Sequence, residues 1–288
     1  MALSIFTSGA AMSSTNALNK SNSILSTAME RLGTGKRINS AADDAAGLQI
    51  ATRLQGQVNG MSVAQRNVSD ATAMLQTAEG AFEEVTNILY RMKDLATQSA
   101  NATNGTEDIA AMQAEFDQLG AELNNIWEST DFAGTKMFSN ASGGLNTAGG
   151  LSFQIGASTA ETMKTDGIKL GAVKTAIGGA SGTIQSLTLA SASGASGAGS
   201  AIDTIAGAIG EVGTVRSSLG AYINRLGHTA ANLSNMQDNT TLALGNIRDA
   251  DFASEATNMT RNQMLAQTSM SMLKQANSMS GMVMSLLG

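Results

Sequence analysis

The sequence predicts a mainly α fold: an elongated rod of long antiparallel coiled-coil helices, its terminal tails paired, with a small β-hairpin-containing central lobe. Three observations carry that reading. Met61, Ala64, Val68, Ala71, Leu75, Ala78, Phe82, Val85, Leu89, Met92 and Ala96 alternate in steps of three and four, which places them on one stripe of an α-helix repeating about every 3.5 residues. In the second half Ile202, Ile205, Ile209, Val212, Leu219, Tyr222, Leu226, Leu233, Met236, Ala243 and Ile247 follow the same rule, with Arg216, Thr229 and Thr240 at the skipped positions. There is also no Pro in 288 residues, which suits uninterrupted helices because an interior Pro costs about 3 kcal/mol. Each stripe needs a partner. The two are expected to serve one another, the chain running out, folding back at its middle and returning alongside itself.

Length separates a rod from a ball. At about 1.5 Å per residue, a helix over residues 44–99 is roughly 80 Å long. A compact globule of this many residues would be roughly 50 Å across, so the helix overshoots the globule that would have to contain it.

In chain order, a first tail helix covers residues 10–32 and stops at the breakers Gly33 and Gly35. Residues 36–42 connect it to the long helix, where Asp43 and Asp44 sit as carboxylates favouring a helix N-terminus. After a turn at 101–105, Thr106 as N-cap with Glu107 and Asp108 in the first turn opens a third helix, whose stripe is Ile109, Met112, Phe116, Leu119, Leu123 and Ile126. Beyond Trp127 the pattern changes. Residues 139–200 are rich in Gly, Ser, Thr and Ala, and the pieces Leu151, Phe153, Ile155 and Ile184, Leu187, Leu189 read as brief β-hairpins in a loop-like lobe. Residues 191–200 read as a flexible connector, 201–247 as the return helix, Asp249 and Asp251 as a joint, and the remainder to near Leu287 as a last helix. The expected domains are 1–42 with 248–288 as an inner terminal coiled coil, 43–138 with 200–247 as a helical rod, and 139–199 as a short variable surface lobe.

Charge is scarce, and its distribution is informative. Charged residues make up 14% and aromatics 3%, against about 25% charged in a typical domain. Between Met1 and Met29 the only charged side chain is Lys20, and between Asn262 and Gly288 it is Lys274. Both tails are nevertheless patterned, with Leu18, Leu25, Ala28 and Leu32 in one and Leu265, Met272, Ala276, Met279, Val283 and Leu286 in the other. The second tail carries a further row, Met259, Ala266, Met270 and Leu273, on another face. A helix apolar on several faces is normally buried on several sides, and an uncovered patch of that kind marks a protein–protein surface. The tails either form only an internal hairpin or drive self-association; the missing charge favours self-association. A polymer interface is therefore expected at Leu3, Ile5, Phe6, Leu18, Ile24, Leu25, Leu32, Leu265, Met272, Met279, Val283, Leu286 and Leu287.

Several function classes fall away. A net charge of -6 argues against a nucleic-acid partner, which would need a basic patch. With no Cys and His228 as the only histidine, thiolate metal sites, redox CxxC pairs and HExxH zinc sites are excluded. The carboxylate pairs Asp43–Asp44 and Asp249/Asp251 sit at helix joints, where capping is their expected role, and Glu83–Glu84 lies beside the seam as a solvated face. Gly33, Thr34, Gly35 and Lys36 lack the GxxxxGK spacing and the preceding strand of a phosphate loop. No catalytic, metal or cofactor site is expected. The N-terminus lacks the basic start and apolar core of a signal peptide, and no apolar run of about 18 residues exists, so neither a cleaved leader nor membrane insertion is expected.

At RLGTGKRINSAADDAAGLQIA, residues 31–51, the chain resembles the N-terminal signature of bacterial flagellin. The likeness continues through LQTAEGAFEEVTNILYRMKDLATQSAN (75–101), MQAEFDQLGAELNNI (112–126) and TDFAGTKMF (130–138), and returns in VRSSLGAYINRLGHTAANL (215–233), IRDADFASEATNMTRNQML (247–265) and the closing MVMSLLG. It covers about 1–140 and 200–288. The resemblance implies a structural subunit that self-polymerises into the flagellar filament for swimming motility, its tails lining a hollow tube and its middle projecting outward. It implies export through the flagellar type III pathway and an extracellular location. The implied partners are other copies of the chain, an export chaperone at the C-terminal tail, the filament cap, hook-associated junction proteins and a host Toll-like receptor. For that receptor the matching positions are Arg91, Leu95 and Glu115, with Tyr90 standing where Gln is frequent. The short middle implies that large outer domains are absent, and Met is abundant, with 17 copies, where relatives use Leu or Gln.

A hook–filament junction protein is the same-class alternative, and it usually matches the 31–51 and 247–265 signatures poorly. A flagellin carrying an inserted metalloprotease is excluded by the single His, and a coiled-coil signalling protein would need a membrane span or a charged helix surface. The concentration of Ser and Thr in the central lobe makes O-linked modification an expectation there, with Ser142, Thr147, Ser158, Thr159, Ser181 and Thr183 as candidates.

Overall fold

A computed structural model describes residues 9–139, 144–147, 149–166, 168–177, 182–189 and 195–287, with side chains throughout these except at 195, 196, 280, 281 and 283–287. The fold is mainly helical. It divides into two compact units, Met1–Val58 with Asp238–Gly288, and Asn59–Gln237. Two helices run through both: α2 (Ala45–Ser99) and α5 (Ala195–Arg248).

In the second unit the α2 seam is buried at every one of its eleven positions from Met61 to Ala96. On α5 the buried row is Ala198, Ala201, Ile205, Ala208, Val212, Val215, Leu219, Leu226 and Leu233, continuing in the first unit at Leu244. This corrects the sequence reading, because Ile202 and Ile209 are half-buried and Met236 and Ala243 are exposed. Where a small and a large apolar residue stand side by side, the alanine turns inward and the isoleucine covers the flank. An α-helix also drifts about 20° per heptad against a strict seven-residue repeat. Over six heptads that amounts to one residue, which is why Leu244 rather than Ala243 ends the row. Arg216 Nη2 meets Glu79 Oε1 at 2.7 Å, and Arg248 Nη1 donates to Gln55 Oε1 at 3.4 Å.

α5 starts at Ala195, within the stretch read as a flexible connector. Ala198 and Ala201 are fully buried there, and burial outweighs the weak helix propensity of Gly and Ser. α3 (Thr106–Ser129) has Gly105, not Thr106, as its N-cap. Gly105 has no side chain to cap with; instead its N–H donates to Asp108 Oδ2 at 3.0 Å. The buried face of α3 is Met112, Phe116, Gly120, Leu123 and Trp127. Trp127 stacks on Phe138 at 5.2 Å, and Phe138 packs tilted against Phe82 at 4.8 Å, which fastens the end of α3 to α2.

A hairpin missed by the sequence reading follows α3. β1 (Asp131–Phe132) pairs antiparallel with β2 (Thr135–Lys136) across Ala133 and Gly134, whose φ angles are 50° and 79°. Positive φ at both central residues is the twist-matched two-residue turn. The expected hairpin around Phe153 is present, β3 (Ser152–Gln154) with β4 (Thr162–Lys164). Ile184, Leu187 and Leu189 form no strand: they lie in a turn segment held on α3 by Gln113 Nε2 to Leu187 O and Gln185 Nε2 to Gly120 O. A short helix also missed, α4 (Leu170–Ile177), buries Leu170, Val173 and Ile177. In the first unit, α1 (Gly9–Thr34) packs along α6 (Phe252–Leu287).

Candidate functional site

The α1–α6 pair is built from its joint outward. α1 ends at Gly35, whose φ of 70° suits a left-handed cap and lets its N–H donate to Arg31 O at 2.8 Å. The connector then lies across the joint between α5 and α6. Arg37 N–H donates to Arg248 O at 2.6 Å, its Nη2 to Ile247 O at 2.8 Å, and Ala250 N–H to Gly35 O at 3.0 Å. Each acidic pair supplies a helix cap: Asp44 Oδ1 accepts from Gly47 N–H at 2.9 Å, and Asp251 Oδ1 from Ala253 N–H at 3.0 Å. Asp43 Oδ2 gathers the N–H groups of Ser40 and Asn39. Those backbone donors, Ser40 first, hold its carboxyl below the ordinary range, because they stabilise the ionised form.

Arg31 in the last turn of α1 reaches Glu255 in the first turn of α6 at 2.9 Å, so the two helices run antiparallel. α1 turns Ser14, Leu18, Ser21, Leu25, Ala28 and Leu32 to the seam, all buried or half-buried at steps of three and four. α6 contributes Met259, Asn262, Ala266, Leu273 and Ala276. The row that packs on α1 is therefore mostly the second of the two read from sequence, but Met270 of that row is 50% exposed and Ala276 of the first row joins the seam. The seam is thin and partly polar: Ser21 and Asn262 are among its most buried members, and Asn262 Nδ2 donates to Asn258 O at 2.8 Å.

The large side chains of the first row that the structure describes are left at the surface. Leu265, Met272 and Met279 recur every seven residues on one flank and are about half exposed, as is Ile24 on α1 to a lesser degree. Sequence reasoning missed Met12, Met29, Met264 and Phe252, all more than half exposed; only at Met12, in the stretch before Lys20, was the absence of charge an available signal. Of the positions assigned to a polymer interface, Leu18, Leu25 and Leu32 lie in the α1–α6 seam, and Ile24, Leu265, Met272 and Met279 on its uncovered flanks. Leu3, Ile5 and Phe6, and the side chains of Val283, Leu286 and Leu287, lie outside the described residues.

The other candidates are placed as follows. Arg91 and Glu115 form an exposed ion pair at 2.6 Å between α2 and α3. Leu95 is 2% exposed, so a partner approaching this face meets the ion pair and not the leucine. Ser158, Thr159 and Thr183 are exposed, whereas Thr147 is half-buried and donates its hydroxyl to Gly144 O at 2.7 Å. Ser142 and Ser181 lie outside the described residues. His228, Glu83 and Glu84 are exposed. Among the described residues no group of three or more His, Cys, Asp or Glu is placed to hold a metal ion, and no helix is long and apolar enough to cross a membrane.

Residues 5–143 match the family model of the bacterial flagellin N-terminal helical region, and residues 202–287 that of the C-terminal helical region. Polar flagellin F of Vibrio parahaemolyticus is 34% identical, the match covering 100% of each chain. A flagellin of Halalkalibacterium halodurans is 40% identical over 90% of each. The crystal structure of Bacillus cereus flagellin is 27% identical, covers 58% of this chain and 88% of that one, and superposes with a TM-score of 0.44; the sequence matches stand without it.

Proposed function

This chain belongs to the bacterial flagellin family, and from that premise we propose that it polymerises with itself into the helical filament of the flagellum, serving swimming motility outside the cell without catalysing a reaction. The observation that carries the reading is the pair of uncovered apolar flanks on α1 and α6, where Ile24, Leu265, Met272 and Met279 face solvent in a nearly uncharged surface. Fully burying a Leu or Met side chain stabilises by about 1.5–3 kcal/mol, and neighbouring copies are the partners able to cover these rows in every subunit. In this reading the α1–α6 pair forms the inner layer, the long helices the next, and residues 139–199 the outer lobe.

The same premise supports export by the flagellar type III route, with a chaperone holding the C-terminal tail, and assembly under a filament cap onto hook-associated junction proteins. The exposed Arg91–Glu115 pair is the part of the proposed Toll-like receptor site open to a partner. O-linked sugar is proposed on the exposed hydroxyls Ser158, Thr159 and Thr183; an intact mass from native filaments equal to the bare 29.4 kDa chain would remove that idea. The test of the central reading is negative-stain microscopy of the purified protein as salt is raised. Long filaments of uniform width are expected, and soluble chains or amorphous precipitate at every salt concentration would overturn it.

A further inference from the structure

Most methionines divide between the two units, Met236 of the second unit, 45% exposed, being the exception. Met61, Met92, Met137 and Met163 in the second unit are buried at 3% exposure or less. Met12, Met29, Met264, Met270, Met272, Met279 and Met282 on α1 and α6 are exposed at 50–61%. The large apolar residues otherwise exposed on these two helices, Ile24, Phe252 and Leu265, carry no oxidisable sulfur, so most of the uncovered apolar surface there is thioether. Met272 and Met279 lie one and two heptads on from Leu265, while Met270 stands on the opposite flank of the seam, so thioethers line both sides of the pair.

A thioether packs flexibly as a hydrophobe, but its sulfoxide is polar and disrupts Met-rich interfaces. We propose that these seven methionines are an oxidation site through which a peroxide switches off self-association of the free chain. This rests on the proposed polymerisation. In each event the thioether sulfur attacks one peroxide oxygen, the O–O bond breaks as the S–O bond forms, and water leaves; sulfur loses two electrons and the peroxide gains them. A sulfoxide reductase reverses it, a dithiol becoming a disulfide while the oxygen departs as water. The buried methionines of the second unit are sheltered, so the oxidised chain keeps its core and loses only its assembly faces. Once copies cover the flanks, the same sulfurs are protected, and the switch acts before assembly.

The test treats the free, polymerisation-competent chain with millimolar hydrogen peroxide and follows sulfoxide at each methionine by peptide mass spectrometry. The seven should modify at least about tenfold faster than Met61, Met92, Met137 and Met163, in keeping with the dependence of oxidation on access. Filament mass pelleted after salt addition should fall at least about tenfold, with helix content retained, and return after treatment with both epimer-specific sulfoxide reductases and a thiol. A variant with all seven changed to Leu should polymerise and ignore peroxide. An oxidised chain that polymerises like the untreated one overturns the inference, as does a Leu variant that peroxide still blocks, or seven methionines that react no faster than the buried four. Should the Leu variant fail to assemble, recovery or non-recovery with the reductases decides. If the untreated chain itself never polymerises, the proposed function falls, and the switch with it.

Discussion

Arg31 Nη1 lies 2.9 Å from Glu255 Oε1, joining the last turn of α1 to the first turn of α6 across 224 positions of sequence. The carboxylate side chain is 12% exposed and the guanidinium 29%, and Arg31 Nε is buried without an acceptor. Glu255 therefore does more than decorate a surface: it is the anion that makes a half-buried guanidinium tolerable at the point where both tails begin.

Glu255→Ala should loosen the α1–α6 pair by about 1–2 kcal/mol, the range for a part-buried charge-assisted bond after discounting for solvent screening. Glu255→Gln, which keeps an acceptor, should cost less. The temperature at which filaments dissociate, followed by light scattering, is expected to fall in the order wild type, Gln variant, Ala variant. Equal values for all three would mean that the pair contributes nothing to the tail helices.

Gly60 of α2 marks where the β3–β4 hairpin touches the long helix: a Cβ there would stand 2.8 Å from Ala157 Cβ. Gly60→Ala should therefore lower the melting temperature of the second unit despite alanine's better helix propensity, overpacking costing typically about 1–3 kcal/mol. The double variant Gly60→Ala with Ala157→Gly should recover most of the loss. Additive effects in that cycle would show that the hairpin loop does not rest on α2.

The α2 seam was legible to the residue because each of its positions is apolar and its flanks are mostly polar. On α5 the same periodicity offered Ala201 beside Ile202 and Ala208 beside Ile209, and hydrophobicity alone selects the larger residue while close helix approach selects the smaller. The hairpin at 131–136 and α4 are too short for periodicity to signal them. Ile184 and Leu189 are buried as expected of core residues, yet what holds them is a pair of glutamine side chains, Gln113 and Gln185, whose long-range bonds leave no pattern in sequence. At the tails the lack of charge announced an uncovered surface. Choosing between the row through Ala266 and the row of larger side chains at Leu265, Met272 and Met279 required knowing that α1 offers only Ser, Ala and Leu to its partner.

Asp43 ties the connector to itself through the N–H groups of Asn39 and Ser40, and its folded pKa lies below the ordinary 3.8. A depressed carboxylate contributes stability that is fully present above the unfolded value and is lost as pH falls through the folded one. Asp43 should thus hold the connector in full, with no dependence on pH, near neutrality, and the connector should loosen only on strong acidification, below 3.8. A carboxyl-carbon NMR titration should place the Asp43 midpoint under that value, and Asp43→Asn should abolish the acid-side change in the Asn39 and Ser40 amide signals. A midpoint at or above the ordinary value would show that the two backbone donors do not hold it.

Deleting residues 262–288 separates folding from assembly. It removes Asn262, Ala266, Leu273 and Ala276 from the seam with α1, and Leu265, Met272 and Met279 from the uncovered flank. It leaves the second unit whole: the α2 row from Met61 to Ala96, its partners on α5 and the Phe82–Phe138–Trp127 cluster all lie within Asn59–Gln237. An α1 helix of 26 residues with few charge pairs is marginal alone in water, so it should lose order along with its partner. The truncated chain should stay soluble and helical, melt within a few degrees of the intact chain, and form no filaments at any salt concentration. Each missing copy of α6 withdraws several apolar side chains worth about 1.5–3 kcal/mol apiece on full burial, and that loss recurs at every subunit contact. Filaments from the truncated chain would show instead that α6 is only the internal partner of α1, and that subunits are held through the second unit.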